Sequence, residues 1–211
     1  MSLRSANRSP LRSRLSALLQ AGERGAGTYT TINPWNSWHT FAAFAYLAEQ
    51  YGYRYAGLSP NHAPSRSHPV FAFERLPDAV ARATRTRARY PDAPLGGPLP
   101  GLTPGRRPRP LPEARREVEL LYARIKVDLY GTSSRRRLRM LAVAVPLGVL
   151  IALAVNGSLD PAPLAAAGGI ALVWWLYLWL AAALMRRGRV RYGRVLAQAG
   201  VEWPPVSRGS G

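Results

Sequence analysis

The sequence predicts an α-helical membrane hairpin of two transmembrane helices, joined by a Pro/Gly-rich linker to a small cytoplasmic α+β domain of order α-β-β-α. Three observations predict it. Two apolar runs carry no charge: 20 residues between Arg139 and Asp160, and 25 between Asp160 and Arg186. Residues 27–90 switch between helical and strand-like apolar spacing. Between these regions, residues 91–112 hold eight prolines and four glycines.

Residues 1–26 read as a basic arm. Their apolar runs are two or three residues long, too short for a secretory signal, whose apolar stretch takes roughly 7–15 residues. This predicts a cytoplasmic amino terminus. In the 27–90 unit, Asn33 and Pro34 suit an N-cap and a first helical position. Trp38, Phe41, Ala45 and Ala48 then recur along one helical stripe, and Gly52 stops it. "YGYRYAGL" and "PVFAFER" alternate as strands around the long loop "SPNHAPSRSH", and "LPDAVARATRTRARY" returns to helix.

The 91–112 segment reads as a semi-extended tether, because its composition offers little to pack. Residues 113–131 read as an amphipathic helix, with Val118, Leu121, Tyr122, Ile125 and Leu129 on one face. That face needs a partner: the preceding domain, a membrane surface or a second copy.

The spans are expected at 138–156 and 162–185. At 1.5 Å per residue, about 20 residues cover the roughly 30 Å of a bilayer core. The turn "NGSLDPAP" is short, so the helices would lie antiparallel. Ala144, Gly148 and Ala152 on the first, with Ala165 and Gly169 on the second, form small-residue strips. Such strips predict close packing within the hairpin, or between chains as the alternative. Pro146 predicts a kink. Trp174, Trp175, Tyr177 and Trp179 lie too deep for an interfacial belt, which points to a helix shifted inward or to packing on another subunit or the first helix.

The chain carries 29 basic residues, all arginine except Lys126, against 11 acidic ones. That excess favours anionic surfaces, either phospholipid headgroups or nucleic acid. Arg135, Arg136, Arg137 and Arg139 precede the first run, whereas Arg186, Arg187, Arg189, Arg191 and Arg194 follow the second and open a basic tail, 186–211. The turn between the runs has no Lys or Arg. Basic residues stay on the cytoplasmic side, which predicts a cell inner membrane protein, bacterial in type, with both termini cytoplasmic. Arg135, Arg136, Arg137, Arg186, Arg187 and Arg189 are the expected contacts for anionic lipid.

No pattern for catalysis emerges. The chain has no cysteine, which excludes disulfides, thiol nucleophiles and cysteine-based metal centres. His39, His62 and His68 lack the spacing and carboxylates of a zinc site. Ser65 or Ser67 with a histidine and Asp78 would match a triad only by residue type, and no glycine-rich phosphate loop is present. Arg82, Arg85 and Arg89, spaced three and four apart, form a stripe suited to phosphate or nucleic acid. The expectation is a non-enzymatic adaptor or scaffold without cofactor, with the lipid bilayer and a protein partner or second copy as its contacts. A nucleic-acid tether and a holin-like oligomeric pore are the rival expectations.

Overall fold

The computed structural model describes residues 10–59, 69–105, 108–155 and 161–204, without the side chains of residues 132–137, 139 and 161–164. Among the described residues there are six helices and one three-stranded antiparallel sheet. They divide into two compact units, one reaching Ile125 and the other running Lys126–Trp203.

The first unit begins earlier than its composition suggests. Helix α1 (Pro10–Glu23) opens on a proline, which suits a first turn whose N–H groups have no helical acceptor. Leu11, Leu15, Leu18 and Leu19 are buried along one face. Strand β1 (Thr28–Ile32) follows, and then helix α2 (Trp38–Gln50). The helix starts later than Asn33 and Pro34 imply. Ser37 is the N-cap, accepting from the Thr40 amide at 3.3 Å, while Asn33 turns the chain by accepting from the Trp35 amide at 3.0 Å.

Eight consecutive residues of α2, Phe41 to Ala48, are buried. A helix covered all round is a core element. Strands β2 (Tyr53–Leu58) and β3 (Val70–Arg75) form the expected hairpin, whose loop, with His62, Ser65, Ser67 and His68, lies outside the described residues. Strand β1 pairs with the other side of β3, so the order is β1-β3-β2. Phe41 meets Phe71 at 4.6 Å between centroids, and Phe44 meets Phe73 at 5.5 Å. The core is thus an aromatic layer between α2 and the sheet. The domain has one helix and one strand more than the α-β-β-α order.

Helix α3 (Ala79–Arg89) buries only Ala79. Thr86 Oγ1 anchors it by donating to the Gln50 carbonyl at 2.7 Å. The proline-rich segment that follows is folded rather than extended. Ala93, Leu99 and Leu102 are buried, Leu111 N donates to Gly101 O at 2.9 Å, and Thr103 N donates to Arg109 O at 2.8 Å. Arg12 of α1 fastens it by donating to the carbonyls of Ala93 and Gly97. Prolines lack an N–H to satisfy, so a few leucines and one guanidinium suffice to hold the segment down.

Helix α4 (Pro112–Leu129) finds its partner within the first unit. Ala114, Val118, Leu121 and Ile125 are buried, and Tyr122 stacks on His39 with centroids 4.0 Å apart. Arg124 Nη1 lies 3.8 Å from Glu49 Oε1, too far for a hydrogen bond, and that oxygen accepts none. Burial holds the Glu49 carboxyl above the usual carboxylate range, against the smaller opposing pull of Arg124. A group with a raised folded pKa contributes its stability below the unfolded value and loses it as pH rises through the folded one. The melting midpoint of the wild type should therefore fall relative to that of Glu49→Gln as pH rises from about 4 to about 8. A pH-independent difference between the two would exclude this origin.

In the second unit, helices α5 (Thr132–Val155) and α6 (Pro161–Gln198) pack antiparallel. One helix, through Ala165–Gln198, is long and apolar enough to cross a membrane. The first of the two expected spans is shorter: Met140–Val155 is the apolar part of α5 among the described residues. It covers about 24 Å at helical rise, less than the bilayer core. The turn at 156–160 lies outside the described residues.

The basic stretch after Met185 is not a loose tail at its start, because α6 continues to Gln198. It ends at Gly200 (φ 71°), where Val201 N donates to Leu196 O at 2.9 Å.

Candidate functional site

The predicted arginine stripe occupies the wall of a cleft. Arg82, Arg85 and Arg89 of α3 line a concavity of about 400 Å3, closed by Tyr46 of α2, Tyr90 and Gly101. Glu113 at the start of α4 supplies the carboxylate of the lining. The fourth arginine of the helix, Arg87, faces elsewhere and pairs with Glu23 at 2.7 Å.

Each wall has a local cause. Arg82, Arg85 and Arg89 share one face because three- and four-residue steps return to the same side of a helix. Arg82 Nε donates to Asp78 Oδ2 at 2.7 Å, which holds the Asp78 carboxyl below its usual range. The pair is half-exposed, and such contacts add little stability. Arg85 and Arg89 form no ion pair among the described residues; the Arg89 guanidinium lies 5.7 Å from the centre of the Tyr90 ring.

Tyr46 is buried, and burial, followed by the charge of Glu117, holds its phenol above the usual range. Gly101 (φ 62°) lets the loop close on that ring: a methyl group there would stand 2.6 Å from Tyr46 Oη and 2.8 Å from Ala114 Cβ. Chemically the cleft offers the N–H donors of three exposed arginines, an arrangement suited to holding an anion.

The walls other than the stripe were not visible as a group in the sequence. Tyr46, Gly101 and Glu113 belong to three separate segments, and no spacing links them.

In the second unit, the helix pair does not meet through the expected strips. Ala144, Gly148, Ala152, Ala165 and Gly169 are exposed, and a methyl group added at Gly148 or Gly169 meets nothing within 4 Å. Packing runs instead through Val145, Val149, Ala167, Ala171 and Trp174, around a cavity of about 230 Å3. The valines of α5 thus meet small residues of α6 at four-residue spacing, Ala167 and Ala171, one face round from Ala165 and Gly169.

Trp174 Nε1 donates to Leu141 O at 3.2 Å, one residue before the Ala142 carbonyl that Pro146, lacking an N–H, leaves without a helical donor. Trp174 therefore packs on the first helix, as one of the sequence expectations had it, and Trp175, Tyr177 and Trp179 point outward, each at least 60% exposed.

Of the expected lipid contacts, Arg186 and Arg187 are exposed and Arg189 is half-buried on α6. The side chains of Arg135, Arg136 and Arg137 lie outside the described residues. Below the apolar part of α6, Tyr130 rests against Gly188 and Tyr192, and Trp203 Nε1 donates to Asp128 Oδ1 at 2.9 Å.

Among the described residues no group of three His, Cys, Asp or Glu side chains could hold a metal ion. His39 stacks on Tyr122, Asp78 pairs with Arg82, and His62, His68, Ser65 and Ser67 lie outside the described residues. No family model, no curated protein and no solved structure matches this chain.

Proposed function

We propose that this chain is a membrane-anchored, cytoplasm-facing adaptor or scaffold that holds a small basic domain at the inner membrane. In this reading α5 and α6 both enter the bilayer as a hairpin. The observation that carries it is the surface of α6. Leu172, Val173, Trp175, Leu176, Trp179 and Leu180 are large, apolar and at least half exposed on one continuous helix. Water-soluble proteins rarely leave such a patch uncovered, whereas lipid covers it at no cost.

Charge supports the orientation. Five arginines begin directly after the apolar run of α6, four surround the start of that of α5, and none lies between the runs. Each basic residue near an anionic surface is worth about 1 kcal/mol, so Arg186 and Arg187 reinforce a placement that the apolar surface drives.

The protein should stay in the membrane fraction through a high-salt wash and leave only with detergent. The chain has no cysteine, so single introduced thiols report topology cleanly. A thiol at Leu159 should react with an impermeant reagent in intact cells, and one at Ser210 should not. Release by salt alone, or the reverse labelling pattern, overturns the reading.

A further inference from the structure

We infer that the cleft on α3 is a binding site for a small ligand bearing a phosphomonoester group. The inference concerns the first unit alone and does not rest on the membrane reading.

Three guanidinium groups, Arg82, Arg85 and Arg89, face the cleft against one carboxylate, that of Glu113. The net charge of the lining matches a phosphomonoester, which carries about −1.5 to −2 near neutral pH. Arginine forks bind its oxygens through paired N–H donors. Arg85 and Arg89 have no carboxylate partner among the described residues, and Arg85 has only a long, exposed hydrogen bond from Nε to Ala81 O, at 3.4 Å, to give up. Arg82 shares Asp78 in an exposed contact that is cheaply given up.

Size and shape narrow the class. A volume of about 400 Å3 falls within the roughly 300–1,000 Å3 typical of small-molecule sites. The apolar part of such a ligand would lie against Tyr46, Tyr90 and Pro100. A nucleic-acid strand needs basic residues that track along a surface. On α3 itself the basic face does not extend to Arg87, which turns away and pairs with Glu23.

A soluble phosphate ester and the headgroup of phosphatidic acid share this chemistry. Full-length protein in uncharged detergent micelles should be titrated calorimetrically with adenosine monophosphate. In a second arm the micelles are doped with phosphatidic acid, or with phosphatidylglycerol as the diester control. Binding in at least one arm, about tenfold weaker in Arg85→Gln and in Arg89→Gln and unchanged in Arg87→Gln, is the expected result. The arm that binds identifies the source. Three outcomes overturn the inference: no binding in either arm, equal weakening by Arg87→Gln, and phosphatidylglycerol matching phosphatidic acid. Binding of a short single-stranded oligonucleotide without binding of either phosphomonoester would assign the cleft to nucleic acid instead.

Discussion

Replacing Gly52 by alanine should destabilise the first unit by about 2–5 kcal/mol. Two penalties act together. Gly52 has φ 87°, a left-handed conformation that costs a residue with a Cβ about 1–2 kcal/mol. The added methyl group would also stand 2.4 Å from Ala79 Cα and 2.9 Å from Ala79 O. These are backbone atoms at the start of α3, so relief requires the helix itself to shift. That shift would strain two tethers, Leu76 N to Gly52 O at 2.9 Å and Thr86 Oγ1 to Gln50 O at 2.7 Å.

Gly25 separates the two effects. Its φ is 78° but a methyl group there meets nothing within 4 Å, so Gly25→Ala should cost only the conformational part, about 1–2 kcal/mol. Ala79→Gly should not rescue Gly52→Ala, because the closest atom is the Ala79 Cα and not its methyl group. Chemical denaturation of the full-length variants, followed by hydrogen exchange of the β2 and β3 amides, gives the comparison. Equal costs at Gly25 and Gly52 would mean that α3 does not press on this turn.

The same turn shows what the sequence made legible. Gly52 reads directly as a stop, because the need for a left-handed residue after a helix is local. The β2–β3 hairpin is legible for the same reason: alternation of Tyr53, Tyr55, Phe71 and Phe73 marks the buried face residue by residue.

Where a choice depends on distant partners, local pattern fails. "TYTTI" has the β-branched composition of a strand, but only its pairing with β3 separates it from a loop. Leu11, Leu15, Leu18 and Leu19 have helical spacing, yet the arginines between them make the segment look like a solvated arm until α2 covers the leucines. Arg12 was legible as charge and not as a clamp, because its acceptors are carbonyls more than 80 residues away.

The candidate site divides along the same line. The common face of Arg82, Arg85 and Arg89 follows from helical periodicity alone. That it borders a cleft follows from Gly101 closing on Tyr46, 55 positions apart in the chain, which no periodicity encodes. In the hairpin, residue size says where a backbone could come close and not where it does. The contact joins Val145 and Val149 to Ala167, Ala171 and Trp174, and Ala144, Gly148, Ala152, Ala165 and Gly169 are left on the outside.

Arginine placed on the exposed face of α6 should act according to depth. Leu172 and Leu176 are 74% and 63% exposed near the middle of the apolar run. An arginine at the centre of a bilayer costs about 2.5–3.5 kcal/mol on insertion scales, against a gain of about 0.3–0.6 from the leucine it replaces. Leu172→Arg combined with Leu176→Arg therefore removes about 6–8 kcal/mol of insertion free energy, enough to strip the helix from the membrane.

Leu184, 57% exposed, lies two residues before Arg186. An arginine there reaches the interface along its own methylene chain, so Leu184→Arg should remain anchored. Fractionation after a high-salt wash distinguishes the variants. The double variant should appear in the soluble or aggregated fraction, and Leu184→Arg with the membranes. If the double variant is retained like the wild type, the outward face of α6 is covered by protein rather than hydrocarbon. The apolar surface would then mark a subunit contact, because only a partner with compensating groups could accept two guanidinium ions at that depth.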